Sequence, residues 1–239
     1  MACGAAHGYT WQGDVAFTEG YGAMADAKRI VIFAGGNLGK DSIRLIRPGD
    51  LLIGADSGAA RLIELGFVPD LAIGDFDSVS PDELATIRRI SRRTEIVDPV
   101  DKDYTDTELA FNRALELEPG EIVIAGALGT RFDHSLANVH LLAAAHRRGV
   151  RAVVTDDRNE IRLAVGGERL TLRRTDHPAV SLLPLTPVVT GITLEGFRYP
   201  LSGARLEIGQ SLGISNVLEA DEGAVTVGEG LLLVILSRD

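Results

Sequence analysis

Cysteine is nearly absent from this 239-residue sequence, and its scarcity limits what the protein can be. The single cysteine, Cys3, excludes an intramolecular disulfide and a cysteine-based metal cluster. Tryptophan is equally rare, with Trp11 alone, and no apolar run approaches the roughly 18 residues that predict a membrane span. Basic residues are outnumbered, since 24 Lys and Arg against 34 Asp and Glu give a net charge of −10. That charge argues against broad binding of nucleic acids or anionic membranes, and we expect a cytoplasmic protein.

The first 23 residues lack any regular pattern. They have neither the basic start nor the continuous apolar stretch of a secretory signal, and they show no helical or strand period. Met24 then opens "MADAKRIVIFAGG", which is typical of the beginning of a domain. We predict that residues 1–23 form a disordered leader ahead of two domains.

From Met24 to residue 158, short apolar runs that end in Gly or Asp alternate with helical patterns. The runs cover 29–36, 50–58, 70–78, 121–129 and 150–157, and the helical patterns cover Ala59–Leu65, Pro81–Ile90, Thr105–Leu117 and His134–Arg148. Continuous apolar strands separated by helices predict a Rossmann-like α/β domain with a parallel sheet covered on both faces. Ligands bind beyond the carboxyl ends of such strands, which is where every Gly/Asp cluster falls.

After residue 158 the pattern changes to short strand-like pieces punctuated by Gly and Pro, with no helix among them. Such a pattern is typical of an all-β sandwich or barrel. We therefore predict an α/β domain over 24–158, followed by a β-sandwich over 159–239.

Two carboxylates stand close together at the end of the third apolar run, in "GDFDS" (74–78). If the strand continues through them, Asp75 and Asp77 point the same way. Two close carboxylates repel unless one takes up a proton or a cation lies between them, and oxygen ligands of this kind suit Mg²⁺. The alternative is an ordinary turn before a helix that Ser80 and Glu83 would cap, but a turn does not explain the two aspartates.

A second motif, "DKDYTDTELAF" (101–111), combines a helix start with a run of charges. Thr105 and Glu108 fit a capping box, and the helix dipole favours Asp106 at the first helical position. Structural needs alone account for these three residues. They do not account for the charges at 101–103, so a ligand-binding role stays open beside the structural one.

A third motif, "GTRFDHSLANVH" (129–140), runs from a Gly-containing loop into a helix. We predict Asp133 at the helix N-cap, with His134 and Asn138 on one face of the helix. A helix start with nearby glycines and Arg131 suits an anion. The alternatives are a plain N-cap for Asp133 and a surface position for His134.

These three motifs, in this order and at these spacings, resemble those of the thiamine pyrophosphokinase (thiamine diphosphokinase) family. The resemblance covers roughly residues 29–237 and includes "SLLPLTPVVTGITLEGFRYPL" and "LGISN" in the second domain. It implies an α/β domain, a C-terminal β-sandwich and a homodimer whose active sites lie between subunits. It also implies transfer of the terminal pyrophosphate of ATP to the hydroxyl of thiamine, which yields thiamine diphosphate and AMP.

The resemblance further implies residue roles in the α/β domain. Asp75, Asp77 and Asp106 would hold Mg²⁺ against the ATP phosphates, so that a metal ion makes the crowded carboxylates tolerable. Asp133, as a catalytic residue, and His134, as a thiamine contact, would lie near the reacting hydroxyl. The implied contacts to ATP are Asn37, Asp56, Ser57, Lys102, Thr105 and Arg131.

In the β-domain, the resemblance implies that Ser215 and Asn216 bind thiamine in the active site of the partner subunit. Some family members stack a tryptophan on thiamine near this pair, but here Val217 and Leu218 follow it. Phe197 and Tyr199 are the only aromatic residues after Asp133, and we interpret both as core residues.

Three other functions stay open at this point. A related pyrophosphokinase would act on a pterin alcohol instead of thiamine. A Mg²⁺-dependent phosphohydrolase would use Asp75 as nucleophile, which leaves the β-domain without a role. A non-catalytic nucleotide or thiamine sensor would not need the full acidic set.

Overall fold

A computed structural model describes residues 29–36, 38–98 and 103–239. Our predictions for the leader 1–23 and for the candidate residues Asn37 and Lys102 lie outside these ranges. Within them, no helix is both long enough and apolar enough to cross a membrane.

The first part of the described chain forms six parallel strands and four α-helices. The strands are β1 (Arg29–Phe33), β2 (Leu51–Ala55), β3 (Leu71–Gly74), β4 (Thr94–Ile96), β5 (Glu121–Ala125) and β6 (Arg151–Thr155). The helices are α1 (Ser57–Glu64), α2 (Pro81–Ile90), α3 (Asp106–Glu116) and α4 (Phe132–Arg147), with a short 3-10 helix at Lys40–Leu45. The strand order β6-β5-β1-β2-β3-β4 confirms the predicted Rossmann-like parallel sheet.

The apolar runs form strands because both faces of the sheet are covered. On β1, Ile30 and Ile32 pack into the cluster that contains α3 and α4, while Val31 and Phe33 pack with Leu62 of α1 on the other face. These four side chains of β1 are fully buried. A strand that is buried on both faces needs apolar residues at every position, not at alternate ones.

Capping side chains define where two of the helices begin. Ser80 and Glu83 form the predicted capping box at the start of α2. At α3, the Thr105 side chain accepts a hydrogen bond from the Glu108 N–H (3.2 Å), so the Thr105 half of the predicted box is present. These contacts place Asp106 in the first turn of α3, beside the carboxyl edge of the sheet.

The rest of the chain is antiparallel and forms two sheets. Strands β7 (Asn159–Val165), β14 (Leu231–Ser237), β9 (Ala179–Pro184) and β12 (Asn216–Val217) extend the parallel sheet beyond β6 to ten strands. Strands β11 (Ala204–Glu207), β10 (Val188–Glu195), β13 (Glu222–Thr226) and β8 (Arg169–Arg173) form a second sheet. No described residue after β6 is helical, and the predicted β-sandwich is confirmed.

Strand β14 connects the cores of the two halves through its two faces. Leu232, Val234 and Leu236 belong to the sandwich core, whereas Leu233 and Ile235 pack against the core of the α/β half. Strand β7 also pairs with β6, so one sheet crosses the predicted domain boundary at residue 158. The boundary itself stays a prediction.

Candidate active site

A cavity of about 490 Å³ opens at the carboxyl edge of the parallel sheet. The chain proceeds from β1 to β2, β3 and β4 on one side and then returns to β5 on the other side of β1. Ligands of open α/β sheets bind at such a switch point. The cavity is lined by several of the predicted site residues, namely Asp56, Ser57, Thr105, Asp106, Arg131 and His134.

Three carboxylates converge beside this cavity. Asp56, Asp75 and Asp77 each offer an oxygen, and these oxygens all lie within 4.8 Å of one another. Asp56 follows β2 and Asp75 follows β3, and the pairing of Ala55 with Ile73 brings the two strand ends together. The Asp56 N–H donates to the Ile73 carbonyl at 2.9 Å. The acidic cluster therefore depends on the register of two neighbouring strands.

The predicted proximity of Asp75 and Asp77 is present, but our structural reason for it was wrong. Strand β3 ends at Gly74, before both aspartates. Phe76 between them has a φ of 58° and is buried beside Ile87. The Asp77 N–H donates to Asp75 Oδ1 at 3.2 Å, so a turn anchored by Phe76 brings the carboxylates together.

Among the acidic side chains of the cluster, Asp56 has the surroundings that best fit a bound cation. Only 9% of its surface is exposed, Oδ2 accepts a hydrogen bond from the Ser78 hydroxyl, and Oδ1 has no hydrogen-bond partner among the described residues. Burial raises the pKa of Asp56 above its usual value, and the negative charges of Asp106 and Asp77 raise it further. Hydrogen bonds from Ser78 and Ser57 partly oppose this rise. A buried carboxylate oxygen without a partner, among other carboxylates, fits a hard divalent cation such as Mg²⁺.

Asp106 lies against this cluster from the start of α3. Its Oδ1 accepts the Asp75 N–H at 3.3 Å, and it lines the cavity. The family resemblance implied Asp75, Asp77 and Asp106 as the metal ligands and gave Asp56 a nucleotide contact. The geometry adds Asp56 to the acidic cluster, and the motif "GADSG" at the end of β2 was the available signal.

A glycine-containing loop after β1 forms another part of the cavity wall. Gly35 and Gly36 line the cavity, and the Gly36 N–H donates to the Gly126 carbonyl at 2.9 Å. A Cβ on Gly36 would lie 2.2 Å from that same carbonyl oxygen. Only glycine allows the loop to lie this close to the end of β5.

The start of α4 contributes an exposed ion pair. Arg131 donates to Asp133 at 2.6 Å, and this hydrogen bond lowers the pKa of Asp133 below its usual value. Helix α4 begins at Phe132 with Arg131 in the cap position, so the predicted N-cap role of Asp133 was wrong. His134 is an exposed cavity residue, whereas Asn138 is buried and donates to the Ala127 carbonyl at 2.8 Å. Asn138 thus fixes the loop after β5.

Ser215 and Asn216 lie far from this cavity within one chain. Strand β12, which begins at Asn216, is separated from β1 by β9, β14, β7, β6 and β5. At about 4.8 Å per strand spacing, this arrangement corresponds to roughly 30 Å along the sheet. The two predicted halves of the site are not brought together in a single subunit.

Asn216 is occupied by backbone groups of its own chain. Its carboxamide oxygen accepts the N–H groups of Tyr199 (3.1 Å) and Val217 (2.8 Å), and its nitrogen donates to the Tyr199 carbonyl (2.7 Å). Ser215 is exposed and has a φ of 58°. The interpretation of Phe197 as a core residue is confirmed, but that of Tyr199 was wrong, because Tyr199 is 62% exposed.

These features define a class of protein: an α/β protein with an appended β-sandwich and an acidic ligand cavity at the switch point of its parallel sheet. A family model described as "Thiamin pyrophosphokinase, catalytic domain" matches residues 43–154, and one described as "Thiamin pyrophosphokinase, vitamin B1 binding domain" matches residues 169–232. The chain belongs to the thiamine pyrophosphokinase family and carries both of its domains.

Individual relatives agree with this assignment. The chain is 34% identical over 214 residues to the thiamine pyrophosphokinase of Bacillus subtilis, covering 89% of this chain and all of the relative. It is 26% identical over 187 residues to thiamine pyrophosphokinase 1 of Oryza sativa, covering 74% and 69%. The crystal structure of the B. subtilis protein superposes with a TM-score of 0.82 at 31% identity, covering 89% of this chain and 100% of that one. Thiamin pyrophosphokinase from Candida albicans shares the fold, with a TM-score of 0.75 at 17% identity and 90% of each chain covered.

Proposed function

We propose that this chain transfers the terminal diphosphate of ATP to the hydroxyl of thiamine and forms thiamine diphosphate and AMP. In this reaction the thiamine oxygen bonds to the β-phosphorus of ATP. The bond between that phosphorus and the oxygen bridging it to the α-phosphorus breaks, AMP leaves with the oxygen, and the hydroxyl proton of thiamine is released to solvent. The observation that carries the proposal is the convergence of three carboxylate oxygens within 4.8 Å at the cavity.

We propose Mg²⁺ as the ion that these carboxylates bind. Asp56, Asp75 and Asp77 would hold it, with Asp106 beside them, and the oxygen-only donor set supports this choice. When bound, Mg²⁺ would offset negative charge on the phosphate oxygens. The unpartnered Oδ1 of Asp56 is the contact that a cation would complete.

The remaining cavity walls suit a polyphosphate. The backbone after β1, Ser57 at the start of α1, and Thr105 would contact the nucleotide, and Arg131 would supply positive charge at the rim. The family resemblance adds Asn37 and Lys102 to this set. Positioning and charge are the main requirements of phosphoryl transfer, so few groups need to do covalent chemistry.

Asp133 and His134 are the groups that we assign to the thiamine hydroxyl. Because its pairing with Arg131 lowers the pKa of Asp133, this carboxylate is a weak proton acceptor. Its proposed role is therefore to orient the hydroxyl by accepting a hydrogen bond. A loose transition state needs little help from a base, which is consistent with that role.

We propose a homodimer in which Ser215 and Asn216 of one subunit complete the cavity of the other. The roughly 30 Å of sheet between β12 and β1 in one chain supports a shared site, since the pair cannot reach its own cavity. The division into an ATP-binding domain (24–158) and a thiamine-binding domain (159–239) belongs to this proposal. A cytoplasmic location also stays a proposal, based on the sequence composition.

The test is to incubate the protein with ATP, Mg²⁺ and thiamine and to separate the nucleotides and thiamine esters by chromatography. We expect AMP and thiamine diphosphate in equal amounts, both dependent on thiamine. Formation of ADP, or phosphate release without thiamine, would contradict the proposal and favour a hydrolase. Replacing thiamine with a pterin alcohol tests the related pyrophosphokinase, and omitting Mg²⁺ in the presence of EDTA tests the metal requirement.

A further inference from the structure

The loop after β1 is held at two points outside the acidic cluster. Near the cavity, the Gly36 N–H donates to the Gly126 carbonyl at 2.9 Å. At the far end, the Gly39 N–H donates to Asp157 Oδ2 at 2.7 Å. Asp157 lies in the turn between β6 and β7, 118 residues further along the chain and outside the cavity lining.

Both backbone polar groups of Gly39 make hydrogen bonds. Asp157 accepts its N–H, while the Ser42 hydroxyl donates to its carbonyl at 2.7 Å. A Cβ at position 39 would lie 2.4 Å from Asp157 Oδ2, so the contact requires glycine or a movement of the carboxylate. A carboxylate acceptor makes such a hydrogen bond roughly twice as strong as a neutral one.

Asp157 is itself supported by the end of the chain. The Arg238 side chain donates to the Asp157 carbonyl at 2.9 Å, and the Arg238 N–H donates to the Arg158 carbonyl at 3.0 Å. The same guanidinium donates to Asp176 at 2.6 Å. Residues that follow β14 and β8 thereby support the turn that holds a cavity loop of the α/β half.

We infer that Asp157 is a positioning residue for ATP, which acts by holding residues 34–36, 38 and 39 of this loop beside the cavity. This inference rests on the proposed function, because ATP is the substrate that the loop would contact. An unanchored loop must be ordered each time the nucleotide binds, and that entropy cost weakens binding. Thiamine should be unaffected, because its proposed contacts lie elsewhere.

The experiment compares Asp157→Ala and Asp157→Asn with a matched control, Asp221→Ala. Asp221 is exposed in the sandwich half, and its side chain makes no hydrogen bond or ion pair with a described residue. We expect Asp157→Ala to raise the KM for ATP about tenfold and to change the KM for thiamine less than twofold. Asp157→Asn should recover most of the loss, because its amide oxygen still accepts the Gly39 N–H.

A second measurement, amide hydrogen exchange at Gly39, does not depend on activity. Exchange should become faster in Asp157→Ala, recover partly in Asp157→Asn and stay unchanged in Asp221→Ala. Unchanged exchange in Asp157→Ala, or an equal rise in both KM values, would overturn the inference. If the wild-type protein forms no AMP, the proposed function is refuted, and with it the link between Asp157 and ATP. The exchange data would still decide whether Asp157 holds the loop.

Discussion

The α/β half and the sandwich half use their buried polar side chains in different ways. In the α/β half, Asp56 keeps one buried carboxylate oxygen without a partner among the described residues, next to Asp75 and Asp77. In the sandwich half, both ends of the buried Asn216 carboxamide bind backbone groups. An unsatisfied buried oxygen costs stability and is available to a ligand, whereas a satisfied amide stabilises the fold.

This difference indicates how each half contributes to a site. The α/β half presents reactive groups directly, from loops that follow its parallel strands. In the sandwich half, the Asn216 carboxamide instead fixes the backbone of Tyr199, whose side chain is exposed. Substitutions in the first half should therefore affect chemistry more than folding, and substitutions in the second should affect both.

The largest expected effect is on turnover in the α/β half. Asp77→Asn preserves the side-chain volume but removes one charge from the acidic cluster, so Mg²⁺ and ATP should bind poorly together. We expect kcat/KM to fall by about 10²- to 10³-fold. The melting temperature should not fall, because the substitution relieves repulsion between carboxylates.

The matched control is Asp82→Asn, an exposed aspartate in the first turn of α2 outside the cavity. It should keep nearly normal turnover. Near-normal rates in both Asp77→Asn and Asp75→Asn, measured at limiting as well as saturating Mg²⁺, would rule out these carboxylates as the metal ligands.

The sequence predicted those parts of the fold and of the candidate site that depend on a local residue pattern. Strands β1, β2, β3, β5 and β6 were predicted because their runs are apolar on both faces. The short edge strands β4 and β12 were not, because three half-exposed residues and a two-residue pairing leave no periodic pattern. The motif "GADSG" marked Asp56 as a residue at a strand end, but it did not show that Asp56 joins the acidic cluster, because the pairing of β2 with β3 brings it beside Asp75.

The same limit applies to the sandwich half. Asn216 was predicted as a thiamine ligand from its motif, but its contacts with Tyr199 span 17 residues and two loops. Only the folded chain reveals that the amide is already satisfied. Local propensity also misplaced the start of α4, because Asp133 is a favoured cap residue that here lies inside the helix.

The next largest effect should come from the sandwich half. Asn216→Ala removes three hydrogen bonds from a residue that is only 7% exposed, so we expect about 2–3 kcal/mol of lost stability. The KM for thiamine should rise about tenfold with little change for ATP. Ser215→Ala, at the exposed neighbour that is also assigned to thiamine, should raise the KM for thiamine without this stability loss.

Mixing Asn216→Ala with Asp77→Asn tests whether the two halves act across subunits. A mixed dimer contains one site built from two unmutated halves, so about half of the wild-type activity should return in that dimer. Assays at low thiamine keep the Asn216→Ala homodimer at about a tenth of the wild-type rate, because the rate then scales with kcat/KM. Absence of complementation despite demonstrated subunit exchange would mean that the site lies within one chain or that Asn216 is structural only.

The smallest expected effect is on stability, and substitutions at the buried polar residues of the two halves should change it in opposite directions. Because burial raises the pKa of Asp56 in the folded protein, the unfolded chain releases this proton first as the pH rises. The stability contribution of Asp56 is therefore complete below its unfolded pKa of about 4 and is lost as the pH rises through the folded pKa. Asp56→Asn should raise the urea midpoint of metal-free protein at pH 7, where Asn216→Ala lowers it.

The gain from Asp56→Asn should shrink as the pH falls below the unfolded pKa of about 4, where the aspartate is neutral in both the folded and the unfolded chain. Asp221→Asn is the control for losing one exposed carboxylate, and it should leave the urea midpoint unchanged at both pH values. Adding Mg²⁺ with ATP should then stabilise the wild type more than Asp56→Asn, because only the wild type keeps the full acidic cluster. A variant that is less stable at pH 7 would show that Asp56 holds the fold together, as Asn216 does, and the contrast between the halves would fail.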